Sequence, residues 1–183
     1  MGVNASSTLR TEEIEELQSH SKVFTQKDIR RLYKRFKRLD KEEKGTVNVE
    51  DFSQIPELSM NPLLPRLIAI FDVNRNGQLN FAQFVNTLSV FHPNADKIDK
   101  IKLLFKVYDI NNDGFITKQE IQTVLTMMVG KNLTTDQIET IVDETLHEAD
   151  KENKGKLNFD AFCSSLENGF TDNMLSISFK PCY

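Results

Sequence analysis

The sequence has no tryptophan and only two cysteines among its 183 residues. Cys163 lies in an apolar run and Cys182 lies in the C-terminal tail, so neither predicts a disulfide and both fit a reducing compartment. No apolar run approaches the roughly 20 residues that span a bilayer, and the N-terminal segment lacks the apolar core of a signal peptide. These absences favour a cytoplasmic protein.

The sequence also lacks an excess of basic residues and a recognisable set of catalytic residues. The net charge is −4, whereas binding to nucleic acid through its phosphates needs a basic face. His20, His92 and His147 are far apart in the sequence, with no serine or cysteine nucleophile pattern near them and no phosphate-binding glycine loop. We therefore expect neither a nucleic-acid partner nor enzymatic activity.

Four twelve-residue windows of the sequence share one outline, with Asp first, Gly sixth and an apolar residue eighth. This is the outline of the EF-hand calcium loop, in which the glycine makes the sharp turn. Each gap between windows has room for a helix, a short turn and a second helix, so four helix-loop-helix units are expected. The windows are Asp40–Asp51, Asp72–Gln83, Asp109–Glu120 and Asp150–Ala161.

The predicted fold is all-α, with four EF-hand units paired into two lobes and short β pairing between neighbouring loops. Apolar residues keep helical spacing on both sides of the third loop, and Thr117 with Glu120 and Thr134 with Gln137 match the capping-box pattern. The expected boundaries are an acylated N-terminal segment at 1–23, an N-terminal lobe at 24–92, a linker at 93–97, a C-terminal lobe at 98–168 and a tail at 169–183.

The third loop carries every ligand that calcium takes from such a loop. Calcium binds six to eight hard oxygens, including a bidentate carboxylate at the twelfth place. We therefore predict a Ca²⁺ site in this loop. The predicted ligands are the side chains of Asp109, Asn111 and Asp113, the carbonyl of Phe115, Thr117 at the ninth place and bidentate Glu120.

The second loop keeps only part of this ligand set. Gln83 at the twelfth place offers one neutral oxygen where a carboxylate would offer two charged ones, and calcium affinity depends on the number of ligand charges. We therefore expect at most weak binding of a cation here. The residues that would hold it are Asp72, Asn74, Asn76 and Gln78.

The first and fourth loops carry a lysine at the fifth place, Lys44 and Lys154, where a ligand belongs. A fixed ammonium opposes a divalent ion. The first loop also shortens its twelfth acid to Asp51, and the fourth replaces it with Ala161. We expect the fourth loop to be empty, and the first to bind poorly if at all. One complete ligand set in four loops argues against a calcium buffer.

The motifs IPELSMNPL at Ile55–Leu63 and LTMMVGKNL at Leu125–Leu133 resemble signatures of the calcineurin B group, and the resemblance covers nearly the whole chain. It implies a calcium-binding regulatory subunit that binds an amphipathic helix of a calcineurin-type Ser/Thr phosphatase catalytic subunit. The segments STLRTEEIEEL and MLSISF are more similar to the calcineurin B homologous proteins. That similarity implies the alternative partner, a cytoplasmic segment of a sodium/proton exchanger.

Two segments favour contacts outside the chain. The start M-G-V-N-A-S matches the N-myristoylation pattern, with Gly2 as acceptor, and a single acyl chain needs a second contact for stable membrane binding. The basic stretch Lys27–Leu39 is either a solvated helix face or that second contact with an acidic surface. We therefore expect a cytoplasmic protein that is partly associated with a membrane.

The expected partner groove lies after the third loop. Met127, Met128 and Val129 are consecutive apolar residues on one helix, so they cannot all face the same core. Some of them should face a groove or a partner helix. The apolar tail at 169–183 could cover such a groove or join the partner.

Overall fold

The computed structural model describes residues 9–54, 61–72, 74–90, 92 and 94–166. The acylation candidate Gly2, the expected tail at 169–183 and most of the Ile55–Leu63 motif lie outside these residues. The described chain forms two compact units that meet in sequence between Asp96 and Lys97.

Helices dominate both units, and the predicted fold class is confirmed. The first unit contains α1 Thr11–Ser21, α2 Gln26–Leu39, β1 Thr46–Asn48, α3 Val49–Phe52, α4 Leu64–Phe71, β2 Gln78–Asn80 and α5 Phe81–Val90. The second contains α6 Lys97–Tyr108, β3 Ile116–Thr117, α7 Lys118–Val129, α8 Thr135–Ala149, β4 Lys156–Leu157 and α9 Phe159–Ser165. None of the described helices is both long and apolar enough to span a bilayer.

Each unit pairs its two loops through one short antiparallel sheet. In the first unit Val47 of β1 is opposite Leu79 of β2, and in the second Ile116 of β3 is opposite Leu157 of β4. These four side chains, which occupy the eighth place of their loops, are 0–3% exposed. The apolar eighth residue is therefore what joins neighbouring loops, as the repeated outline predicts.

Helix α1 is part of the first lobe, although the sequence placed the start of that lobe at residue 24. It packs against α2 and α5, and Ile14 lies fully buried in a cluster with Phe24, Ile29 and Val85. The acidic composition of α1 hides this role, because only Ile14 and Leu17 are apolar within it. Residues 11–21 therefore pack with the helices of the first lobe, although they precede its expected start at residue 24.

The second lobe is built around aromatic contacts between α6 and α9. The ring of Phe105 lies 5.4 Å from Phe159 and 5.5 Å from Phe162, both with edge-to-face geometry. Tyr108 is 2% exposed, and this burial raises the pKa of its hydroxyl. These contacts hold the helix that enters the third loop against the helix that leaves the fourth.

Two predicted capping boxes are confirmed at the helices that bound this lobe's loops. Thr117 accepts a hydrogen bond from the Glu120 N–H at the start of α7, and Thr134 accepts one from the Gln137 N–H at the start of α8. In each pair the longer side chain returns a bond to the threonine N–H. Such caps satisfy N–H groups that a helix start leaves unpaired.

Candidate metal centre

The four twelve-residue loops share the same backbone turn at their fourth and sixth residues. Their fourth residues have positive φ between 50° and 58°, and their glycines at the sixth place have φ between 71° and 84°. A residue with a Cβ is strained at the glycine position, so this glycine is required by the turn itself. The loop shape is therefore the same whether or not the ligands are complete.

The first aspartate of each loop stabilises this turn through a hydrogen bond to the main chain. One carboxylate oxygen accepts the N–H of the glycine at the sixth place, at distances of 2.6 to 3.1 Å. All four aspartates are buried, with 4–8% exposure. Because this bond serves the main chain, the aspartate is useful even in a loop that binds no ion. The four residues are Asp40, Asp72, Asp109 and Asp150.

The third loop gathers the oxygen donors that the sequence predicts. Oδ1 of Asp109 and Oδ1 of Asn111 both accept the N–H of Asp113, at 3.1 and 2.8 Å. Oδ1 of Asp113 accepts the N–H of Phe115 at 2.9 Å, and its Oδ2 accepts from the Asn111 amide at 3.0 Å. The side chains of the first, third and fifth places are therefore held together by one turn of the loop.

Glu120 joins the two ends of this loop. Its Oε1 accepts the N–H groups of Ile110 and Asn111 at 2.9 and 3.2 Å. Its Oε2 accepts the N–H and the hydroxyl of Thr117 at 2.9 and 2.8 Å. The side chain is only 8% exposed, so the carboxylate of the twelfth place lies inside the loop and not in solvent.

These residues fit Ca²⁺ by their donor chemistry. Three carboxylates, an amide oxygen and a main-chain carbonyl are the hard oxygens that calcium prefers. Within the described residues no three acidic, histidine or cysteine side chains converge on one point. Glu120 accepts hydrogen bonds from N–H groups at both ends of the loop, and ligation would redirect part of that hydrogen bonding toward the ion.

The second loop contains a buried oxygen that no hydrogen bond from the described residues satisfies. Oδ2 of Asp72 accepts the Gly77 N–H at 2.6 Å, but its Oδ1 is buried and has no hydrogen-bond partner among the described residues. Leaving a buried acceptor unpaired costs about 1–3 kcal/mol. A cation at this oxygen would remove that cost, so the first place of this loop fits a metal ion.

The other predicted residues of the second loop are less suited to hold an ion tightly. Asn74 and Asn76 are exposed and neutral, whereas the fifth place of the third loop is the charged Asp113. Gln78, at the seventh place, would serve through its main-chain carbonyl, and its side chain accepts from the Thr46 hydroxyl at 2.8 Å across the sheet. Oε1 of Gln83 accepts the Asn80 N–H at 2.8 Å. The other terminal atom of this side chain is an amide nitrogen, which cannot bind a cation as the second oxygen of a carboxylate does.

The lysines of the first and fourth loops are paired within their own loops. Lys44 forms an ion pair with Glu42, and Lys154 forms the equivalent pair with Glu152. These hydrogen bonds raise the pKa of both lysines, so each ammonium stays charged at neutral pH. In the first loop Asp51 accepts the Asn48 N–H and caps α3. Both loops therefore contain a lysine at the fifth place that is paired with the acidic residue of the third place.

The predicted partner surface lies on α7. Met127 is 43% exposed, while Met128 and Val129 are half-buried. An exposed methionine on a helix is an adaptable apolar contact for another helix. The side chains of Ile98 and Ile141 are the other large hydrophobic ones that the described residues expose.

The basic stretch predicted from the sequence forms α2, which lines an open groove of about 520 Å³. Phe24 and Leu32 contribute its apolar surface. The charged residues around them are Asp28, Arg31, Lys34, Arg35 and Arg38.

One contact at the third loop was not predicted, because it joins residues of two different loops. The ammonium of Lys156, at the seventh place of the fourth loop, lies 3.7 Å from the centroid of the Phe115 ring, at the seventh place of the third. The contact could be expected from the pairing of the eighth-place residues Ile116 and Leu157. In this antiparallel register the residues that precede them, Phe115 and Lys156, are diagonal neighbours, and a long side chain can reach across.

Comparison with known proteins agrees with this geometry. The EF-hand domain pair family matches residues 98–167, which include the third and fourth loops. The calcineurin B type 2 protein of Dictyostelium discoideum is 68% identical over 183 residues, which are 99% of each chain. The calcineurin B protein of Naegleria gruberi is 49% identical over 97% of this chain and 99% of its own.

A more distant relative is the calcineurin B protein of Schizosaccharomyces pombe, which is 42% identical over 81% of this chain and 84% of its own. The similarity thus extends across both lobes and all four loops. On this basis the chain belongs to the calcineurin B family of EF-hand proteins.

Proposed function

We propose that this chain is a calcium-binding regulatory subunit that binds an amphipathic helix of the catalytic subunit of a calcineurin-type Ser/Thr phosphatase. The observation that carries the proposal is the third loop, which combines a complete set of oxygen donors with a preformed backbone. Its occurrence in a chain similar over its whole length to a calcineurin B protein supports the regulatory role.

Calcium binds chiefly at the third loop in this proposal. Three carboxylates serve that loop, whereas the second has one and the first and fourth contain paired lysines. Ligand charge count sets the affinity, so the third loop should bind in the sensor range of about 10⁻⁷ to 10⁻⁵ M. The second loop accepts a weakly held cation at Asp72, whose buried oxygen lacks a partner among the described residues.

Calorimetry of the full chain tests the metal assignment. We expect one calcium ion to bind in the sensor range and Glu120→Gln to abolish that binding, since the amide cannot provide two charged oxygens. Glu144→Gln is the matched control, because Glu144 is exposed on α8 and its substitution changes the net charge by the same amount. Four calcium ions of similar affinity, or retained binding in Glu120→Gln, would contradict the assignment.

The partner helix binds the surface formed by Met127, Met128 and Val129. A charge placed at Met127 would be buried without a partner in the complex, which costs several kcal/mol for an unpaired ion. We therefore expect Met127→Asp to weaken binding to a calcineurin catalytic subunit at least tenfold. Thr140→Asp should leave it unchanged, because Thr140 is exposed on a different helix, α8, and the substitution adds the same charge.

Affinity capture from the source cell separates this partner from the alternative one. Recovery of a Ser/Thr phosphatase catalytic subunit, lost in Met127→Asp, is the expected result. Recovery of a sodium/proton exchanger in its place would support the resemblance of the terminal segments to calcineurin B homologous proteins and would refute the phosphatase assignment.

The chain acts without catalysis of its own in this proposal, and a myristoyl group on Gly2 associates part of the cytoplasmic population with membranes. The acyl chain alone gives marginal binding, so the basic face of α2 supplies the second contact. Intact-mass measurement of the purified protein should show one myristoyl group, absent in Gly2→Ala. Phosphatase activity of the chain alone would contradict the regulatory role.

A further inference from the structure

The ammonium of Lys156 lies over the side chain of a residue whose main-chain carbonyl is a predicted calcium ligand. Lys156 is opposite Thr117 in the β3–β4 pair, and its Nζ is 3.7 Å from the centroid of the Phe115 ring. Phe115 is the residue whose carbonyl serves the seventh place, and Thr117 occupies the ninth. A residue of the fourth loop therefore contacts the ligand segment of the third.

The charge of Lys156 is not neutralised within the described part of the chain, where no carboxylate lies within ion-pair distance of it. Lys118, the other lysine beside this sheet, contacts Asp143 at 2.6 Å and Glu139 at 3.4 Å. The positive charge of Lys118 is thus offset by two carboxylates. No described carboxylate offsets the charge of Lys156 in this way, so it contributes to the electrostatic potential at the third loop.

Lys156 takes part in two interactions at the third loop, and only one of them changes when calcium binds. The cation–π contact holds the Phe115 ring and is worth about 0.5–1 kcal/mol at a partly exposed site. That contact exists without an ion, so it contributes to both sides of the binding equilibrium. The repulsion between an ammonium and a divalent ion exists only when the ion is bound. Repulsion therefore decides the net effect on affinity.

We propose that Lys156 is an affinity-determining residue of the third loop, which lowers its calcium affinity below the value that the ligand set alone would give. This inference rests on the proposed function, namely that the third loop binds calcium. The fourth loop, although it binds no ion, thus acts on its neighbour through the seventh residue.

Calcium affinity measured at two ionic strengths tests the inference. Lys156→Met keeps an unbranched apolar side chain on the ring and removes the charge, so we expect binding about two- to fourfold tighter at about 0.01 M salt. At about 1 M salt the Debye length falls to about 3 Å, and the difference from wild type should vanish. Lys156→Arg keeps the charge and should bind like wild type.

Lys131→Met is the matched control for net charge. Lys131 is exposed beyond the end of α7, and that helix of 12 residues is roughly 18 Å long, so its charge is remote from the loop. We expect no more than a small change in affinity. Equal tightening in both lysine variants, or unchanged or weaker binding in Lys156→Met at low salt, would overturn the inference.

An observation on the ion-free chain separates this inference from the proposed function. Ring currents from Phe115 should shift the ε-methylene protons of Lys156 upfield in NMR spectra, and Phe115→Leu should abolish that shift. Absence of the shift in wild type would overturn the inference while leaving calcium binding intact. If wild type shows the shift but binds no calcium at the third loop, the proposed function fails and the affinity role falls with it.

Discussion

Replacement of Gln83 by glutamate should convert the second loop into a calcium site of sensor affinity. Oε1 of Gln83 already accepts the Asn80 N–H at 2.8 Å, as Oε2 of Glu120 accepts the Thr117 N–H at 2.9 Å. The substitution would therefore exchange an amide nitrogen for a carboxylate oxygen without moving the side chain. The loop backbone and the first aspartate are already in place.

The magnitude follows from the charges and from one buried oxygen. Gln83→Glu raises the number of side-chain carboxylates in the loop from one to two, against three in the third loop. Oδ1 of Asp72, buried and unpaired among the described residues, gains a cation. A shift from about 10⁻⁴–10⁻³ M to about 10⁻⁵ M is expected. This is a ten- to hundredfold gain, or about 1.4–2.8 kcal/mol.

The assay is calorimetry in a Glu120→Gln background, in which the third loop is silent and any sensor-range binding belongs to the second. Gln26→Glu in the same background is the control, because Gln26 is exposed at the start of α2 and its substitution adds the same single negative charge. Calcium at about 100 times the dissociation constant should also stabilise the first lobe by about 2.7 kcal/mol. An affinity no better than that of the control would refute the role assigned to the twelfth place.

Three further predictions address the lobes and caps. Ile14→Ala should destabilise the first lobe by about 2–5 kcal/mol in chemical denaturation, since Ile14 is fully buried; a negligible change would contradict the placement of α1 in that core. Lys154→Asp combined with Ala161→Glu should add one calcium ion by calorimetry, whereas each change alone should add none. Hydrogen bonds from Thr25 lower the pKa of Asp28, so this cap contributes stability above the carboxyl's ordinary pKa of 3.8 that is lost as pH falls through the lower folded value. Thr25→Ala should cost about 1 kcal/mol at neutral pH and less in acid, and a pH-independent cost would contradict the cap's ionic character.

The amino-acid sequence alone determined those features that depend on short stretches of chain. The repeated Asp and Gly predict the loop turn because the bond between them spans only five residues, and Thr with Glu or Gln three residues later predicts a cap that the structure contains. The mostly helical fold class follows from the same local patterns. The oxygen donors of the third loop can likewise be read from the sequence, whereas their role as calcium ligands and the number of ions bound stay predictions.

Only the tertiary structure decided which distant residues meet. Helix α1 contributes few apolar residues, and its membership of the first lobe depends on the fit of Ile14 between α2 and α5. The oxygen of Asp72 has no partner among the described residues because of which donors surround this buried carboxylate, and the position of Lys156 over Phe115 depends on strand register. Packing and register join residues far apart in the chain, so no local pattern in the sequence reports them.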